Sequence, residues 1–210
     1  MNIKFLSLGS GSSGNCYYLG TDTYSILIDA GVGIRTIKKI FKEYSLSLST
    51  VRAVFITHDH ADHIKAAGHL AAKHNIPIYS TPEVHQGMRR SYCMTEKIDN
   101  AHAKFINKGE TITVEDFEIT CFEVPHDGTD NVGYTIRIDG KTFSFLTDIG
   151  HITETAAAHI VQSNYLVLEA NYDKTMLQIG PYPQYLKERI AGPNGHLCNA
   201  DAAQFLAENY

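Results

Sequence analysis

The run His58-Asp-His-Ala-Asp-His63, directly after the apolar segment Val51–Thr57, places four ligand-type side chains, His58, His60, Asp62 and His63, within six residues. A strand ending in His58 and His60 turns both imidazoles to one side, because alternate side chains of extended backbone share a face. The two can share a metal. Asp62 and His63 fall where the next helix begins, directed back toward the strand's end, and offer ligands to an adjacent position. Asp62 alone would be an ordinary first-turn carboxylate favoured by the helix dipole. A polar loop or helix cap, however, has no need of three imidazoles at this spacing. Two ions about 3.5–4 Å apart are the usual arrangement for metal-assisted hydrolysis.

The rest of the chain alternates short apolar runs with turns and helices. Strands are predicted at Lys4–Leu8, Cys16–Leu19, Ser25–Asp29, Ile78–Ser80, Thr111–Val114, Phe117–Glu123, Val132–Ile138, Lys141–Phe145 and Tyr165–Leu168. Asp139-Gly140 reads as a hairpin turn. Helical spacing predicts helices over Ile34–Tyr44, from Asp62 to about His74, and near Ile152–Gln162, Pro183–Ile190 and from Asn199 onward. Two β-rich halves, each followed by helices, suggest an α/β fold in four αββα layers. No Pro/Ser-rich linker divides residues 1–210, so one domain is expected.

Eleven histidines stand out in a chain of formal charge −5. That charge argues against a broad basic nucleic-acid surface but not against a nuclease, since bound divalent ions add positive charge where a phosphate docks. The four cysteines, Cys16, Cys93, Cys121 and Cys198, lack ligand-like spacing and read as buried free thiols. With no apolar stretch of 18 residues and no signal-peptide pattern at Met1-Asn-Ile-Lys, a cytoplasmic protein without membrane association is expected. No G-x-S-x-G elbow points to a serine nucleophile. The Gly/Ser-rich Leu8–Asn15 lacks the Lys-Ser/Thr of a nucleotide-triphosphate loop and reads as a tight turn. Glu169, in Leu168-Glu-Ala-Asn-Tyr-Asp173, is placed to orient a ligand or a catalytic histidine.

The run Thr57-His-Asp-His-Ala-Asp-His63 resembles the HxHxDH signature of the metallo-β-lactamase superfamily, whose members are αββα sandwiches with a dinuclear site. That resemblance implies two later ligands after strands. His126, in Val124-Pro-His-Asp127, and Asp148, in Leu146-Thr-Asp148, match them, with Asp148 bridging both metals. Position 60 is His rather than the Glu of diiron flavoproteins, which disfavours redox iron chemistry. Gly195-His-Leu-Cys-Asn199 resembles the segment that carries a histidine proton donor in superfamily phosphodiesterases and tRNA 3′-processing endonucleases. His196 and Asp62 are therefore the candidate catalytic residues. Together with Ser10-Gly-Ser-Ser-Gly-Asn15 and Gly180-Pro-Tyr-Pro-Gln-Tyr-Leu-Lys-Glu-Arg-Ile190, these motifs resemble the bacterial YycJ/WalJ-like exonucleases.

The resemblance implies a phosphodiesterase or nuclease acting from DNA 5′ ends. It also implies two divalent ions, zinc by the His-rich ligand set or else manganese or iron, and a nucleic acid or small phosphodiester as substrate. Two other readings remain: a hydrolase of a lactone, carboxyl ester or thioester, and a non-catalytic metal- or nucleotide-binding module. In the relatives the last ligand is a histidine beyond the helix starting near residue 200. Here either His196 takes that place or the ligand is missing, and a C-terminally truncated chain is expected.

Overall fold

In the computed structural model, which describes residues 1–210, one sheet runs in chain order. Its strands are β1 (Lys4–Gly9), β2 (Cys16–Gly20), β3 (Ser25–Ile28), β4 (Val51–Phe55), β5 (Ile78–Ser80) and β6 (Ala103–Phe105). Strands β1, β2 and β3 pair antiparallel, and β3 to β6 pair parallel. Each parallel step needs a crossover. Helix α1 (Ile34–Glu43) supplies the first, α2 (Ala61–Ile64) with α3 (Ala67–His74) the second, and α4 (Pro82–Arg90) the third. Helix α1 buries Ile37 and Phe41, one turn apart on its inner stripe.

The helix expected over Asp62–His74 is broken in two. The carbonyls at its start are drawn elsewhere: Asn15 N–H donates to Asp62 O (2.7 Å), and Ala30 N–H donates to His63 O (2.8 Å). Ala66 N–H in turn donates to Ala30 O (2.8 Å), so the i to i−4 ladder stops. Gly31 makes this approach possible, because a Cβ there would lie 1.5 Å from Asp62 O. Helix α4 and strand β6 fall in segments the periodicity left unassigned, although Thr81 caps α4 through Val84 N–H and Pro82 occupies its first turn.

The second sheet has the order β11-β10-β9-β8-β7. These strands are β7 (Thr111–Val114), β8 (Phe117–Glu123), β9 (Val132–Ile138), β10 (Lys141–Leu146) and β11 (Tyr165–Leu168). Asp139 and Gly140, with φ of 49° and 71°, close the β9–β10 hairpin in the left-handed geometry expected of Asp-Gly. Helix α5 (Glu154–Val161) crosses between β10 and its parallel partner β11. Helices α6 (Lys174–Ile179), α7 (Gln184–Ala191) and α8 (Asn199–Asn209) follow, of which α6 is additional to the sequence expectation. A mixed α/β class with two sheets and accompanying helices is thus what the patterning implied.

The chain packs as two units, Met1–Asn107 with Ile112–Phe117 and Gly128–Asp130, and the remainder. The first has a core including Leu27, Val54, Ile56, Ile64, Leu70 and Ile78. The second has a core of Phe122, Val124, Leu146, Ile149, Ile160 and Leu197 among others. Cys16, Cys121 and Cys198 are buried free thiols, while Cys93 is half-buried. No helix is long and apolar enough to cross a membrane.

Candidate active site

In the first unit the candidate ligand side chains gather at the carboxyl ends of β3 and β4, where parallel sheets place their chemistry. Strand β4 runs on through Ile56 and Thr57 into His58. Asp29, directly after β3, is fully buried and accepts four hydrogen bonds. Thr57 N–H donates to its Oδ1 (2.9 Å), Thr57 Oγ1 donates to both oxygens (3.0 and 3.1 Å), and His63 Nδ1 donates to Oδ2 (2.8 Å). An acceptor carboxylate thereby fixes the proton on His63 Nδ1 and leaves Nε2 as the lone-pair nitrogen. That nitrogen lies 3.7 Å from Asp62 Oδ2 and 2.9 Å from the Asn15 amide.

The same carboxylate sets the next ring. Thr57 spends its hydroxyl proton on Asp29, so its oxygen accepts from His58 Nδ1 (3.0 Å), and His58 Nε2 presents its lone pair. His58 Nε2 and His60 Nδ1 are 3.0 Å apart, with the rings edge to face. These donors suit a divalent cation of borderline softness: lone pairs from neutral imidazoles, a nearby carboxylate, and a buried carboxylate behind the rings. Asp59, between the two histidines, is turned away. Its oxygens accept from Thr129 N–H (2.9 Å) and Thr129 Oγ1 (2.5 Å), tying the motif to the Gly128–Asp130 segment.

In the second unit, three more strands end in polar residues: β8 before His126, β10 before Asp148, and β11 before Glu169. His126 is buried, and its Nδ1 donates to Gly195 O (2.8 Å), which again leaves Nε2 as the lone-pair atom. Donor atoms of His126, Asp148 and His196 all lie within 4.8 Å of one another. His196 Nδ1 is 2.7 Å from Glu169 Oε1 and 3.3 Å from Asp148 Oδ1. Burial alone would lower the His196 pKa, but hydrogen bonds and charge from Asp148 and Glu169 outweigh it and push the value up to about 10.

Glu169 is itself held from every side. Asn171 Nδ2 donates to Oε1 (3.0 Å), and Ile149 N–H (2.8 Å) and Leu197 N–H (3.2 Å) donate to Oε2. It orients a histidine, as its position after β11 suggested, and that histidine is His196. Helix α7 is anchored to the His126 loop by Arg189, whose Nε and Nη2 clamp Asp127 at 2.6 and 3.1 Å. Sequence reasoning missed Asp29 and the Gly195 carbonyl. An acid directly after the buried strand Ser25–Ile28 marks a position but not a role for the first, which needs the pairing with β4; a backbone carbonyl leaves no signal.

Residues 24–209 match the family model described as the β-lactamase superfamily domain. The chain belongs to the β-lactamase superfamily. Within this superfamily it is 33% identical to the exodeoxyribonuclease YycJ of Bacillus anthracis over 99% of its own length and 78% of the relative's. It is 34% identical to the exodeoxyribonuclease WalJ of Streptococcus pneumoniae, over 98% of this chain and 76% of that one. Among solved structures, the short form of human tRNase Z shares the fold with a TM-score of 0.70 at 18% identity, covering 100% of this chain and 88% of that chain. The superfamily membership makes this chain a metallo-β-lactamase-fold hydrolase with a capacity for divalent metal, in keeping with the His and Asp donors gathered at these strand ends.

Proposed function

We propose that this chain is a metal-dependent phosphodiesterase that removes nucleotides from DNA ends, with residues 1–210 acting as one catalytic domain. His58, His60 and His126 would hold one divalent ion, and Asp62, His63 and Asp148 the other, with Asp148 bridging. Zinc suits the imidazole-rich set best, with manganese or iron as replacements. When bound, the ions supply a water of lowered pKa and draw in the phosphate. Asp62 would serve both as a ligand and as the catalytic carboxylate. The names of the relatives support DNA as substrate, and a cytoplasmic location accords with such a substrate.

The observation that carries this reading is the His196–Glu169 pair. A phosphodiester's departing alkoxide needs a proton, whereas a β-lactam or thioester leaves more easily without one. Glu169, fixed by three further donors, holds His196 Nδ1 and turns Nε2 outward as the donor. Parallel assays with bis-p-nitrophenyl phosphate, an acyl-glutathione thioester and a lactone test it. Phosphodiester turnover should dominate, should vanish in the His60→Ala, Asp62→Ala double variant, and should fall about 100-fold or more in His196→Ala. Metal content should stay at the wild-type level in His196→Ala. Loss of a metal there would instead make His196 a ligand, and preferred thioester turnover would overturn the proposal.

A further inference from the structure

Beside His196, the second unit carries a cavity of about 440 Å3. Its walls include Tyr172 and Lys174, Gln178 of α6, and Gln184, Lys187 and Ala191 of α7. We propose that this cavity receives the nucleotide that carries the departing oxygen. The inference rests on the phosphodiesterase reading, because a proton donor must lie within hydrogen-bond reach of the leaving atom. The residue bearing that atom therefore sits on the His196 side of the reacting phosphorus.

The volume falls within the range of about 300–1,000 Å3 typical of small-molecule sites. The wall chemistry selects a nucleotide within that range. Lys174 is neutralised by Asp201 (2.8 Å), and Glu188 accepts from Gln184 Nε2 (2.9 Å). Lys187 gives one N–H to Gln178 O at 2.5 Å, which fixes the ammonium at the wall with donors remaining for a phosphate. The Gln178 and Gln184 amides offer the mixed donor and acceptor groups that a base edge requires, and Tyr172 supplies an aromatic wall residue, the type on which bases stack.

Equilibrium binding tests the assignment on the purified chain, with and without zinc, using the 3′- and 5′-monophosphates of deoxyadenosine, free deoxyadenosine and inorganic phosphate as probes. One monophosphate should bind at least tenfold more tightly than phosphate or nucleoside alone, and its identity gives the polarity of cleavage. Ala191→Trp, which fills the cavity, and Lys187→Gln should each weaken that binding at least tenfold. The ratio of kcat/KM on an oligonucleotide to kcat/KM on bis-p-nitrophenyl phosphate should fall at least tenfold in both. Failure of wild type to bind either monophosphate, or equal binding by wild type and both folded variants, overturns the cavity assignment. Variant-sensitive nucleotide binding in a chain that hydrolyses no phosphodiester upholds the nucleotide site and overturns the catalytic reading instead.

Discussion

Replacing Asp29 with Asn changes one atom and reverses the hydrogen-bond logic behind two histidines. The wild-type carboxylate accepts from Thr57 N–H, Thr57 Oγ1 and His63 Nδ1. An Asn side chain has one acceptor oxygen, so its NH2 group must face either the Thr57 N–H or His63 Nδ1. The first opposes two donors in a fully buried site. The second forces the His63 proton onto Nε2 and removes the lone pair proposed to hold a metal. Losing a buried hydrogen bond to a charged group costs about 1.5–3 kcal/mol. For a chain of 210 residues that lowers Tm by about 3–12 °C, at about 2–4 °C per kcal/mol. Disturbing the group behind a ligating histidine weakens metal binding about 10–100-fold, or about 1.4–2.8 kcal/mol at about 1.4 kcal/mol per tenfold. The two measurements should therefore move by similar free energies. Differential scanning calorimetry of the chelated protein, zinc titration, and 15N shifts of His63 reporting its tautomer read the three consequences. Zinc affinity within threefold of wild type, with Nδ1 still protonated, would refute the reasoning.

Glu169→Gln should lower phosphodiester kcat more than KM and move the alkaline loss of activity to lower pH, because the partner that keeps His196 protonated becomes neutral; an unchanged pH–rate profile counts against the assignment. Gly195→Ala places a Cβ 2.2 Å from the Arg189 and Ile190 carbonyl oxygens, so the carbonyl that holds His126 must move; zinc titration should show binding weakened about tenfold or more. His85 is buried, and burial lowers its pKa from 6.5. The unfolded chain therefore binds the proton more readily, and stability falls as pH drops from 6.5 toward the folded pKa; Tm measured against pH should be flatter below 6.5 in His85→Leu. Iodoacetamide should label Cys93 first, with Cys16, Cys121 and Cys198 protected by burial, as peptide mass spectrometry of the native protein would report.

What the sequence made legible follows from where polar residues interrupt apolar runs. His58, His126, Asp148 and Glu169 each come one to three residues beyond a hydrophobic strand, so their setting is written in the one-dimensional pattern. Asp29 occupies the same kind of position after β3 but carries no motif, and its role appears only when pairing of β3 with β4 brings it beside Thr57. The break between α2 and α3 was hidden for another reason. Ala61–His74 has ordinary helical spacing, and what interrupts it is backbone from residues 15 and 30 competing for the same carbonyls. Contacts made by main-chain atoms have no side-chain alphabet in which to be spelled.

Gly195 and His196 are neighbours in the chain, yet they serve two different side chains: one carbonyl steers His126, and the next imidazole leans on Glu169. A shift of this short loop therefore moves both together. Natural variation or laboratory selection cannot retune the proposed proton donor by sliding this segment without also dragging His126 along. Changes in substrate preference are expected instead at exposed side chains of α6 and α7, such as Met176 and Tyr185.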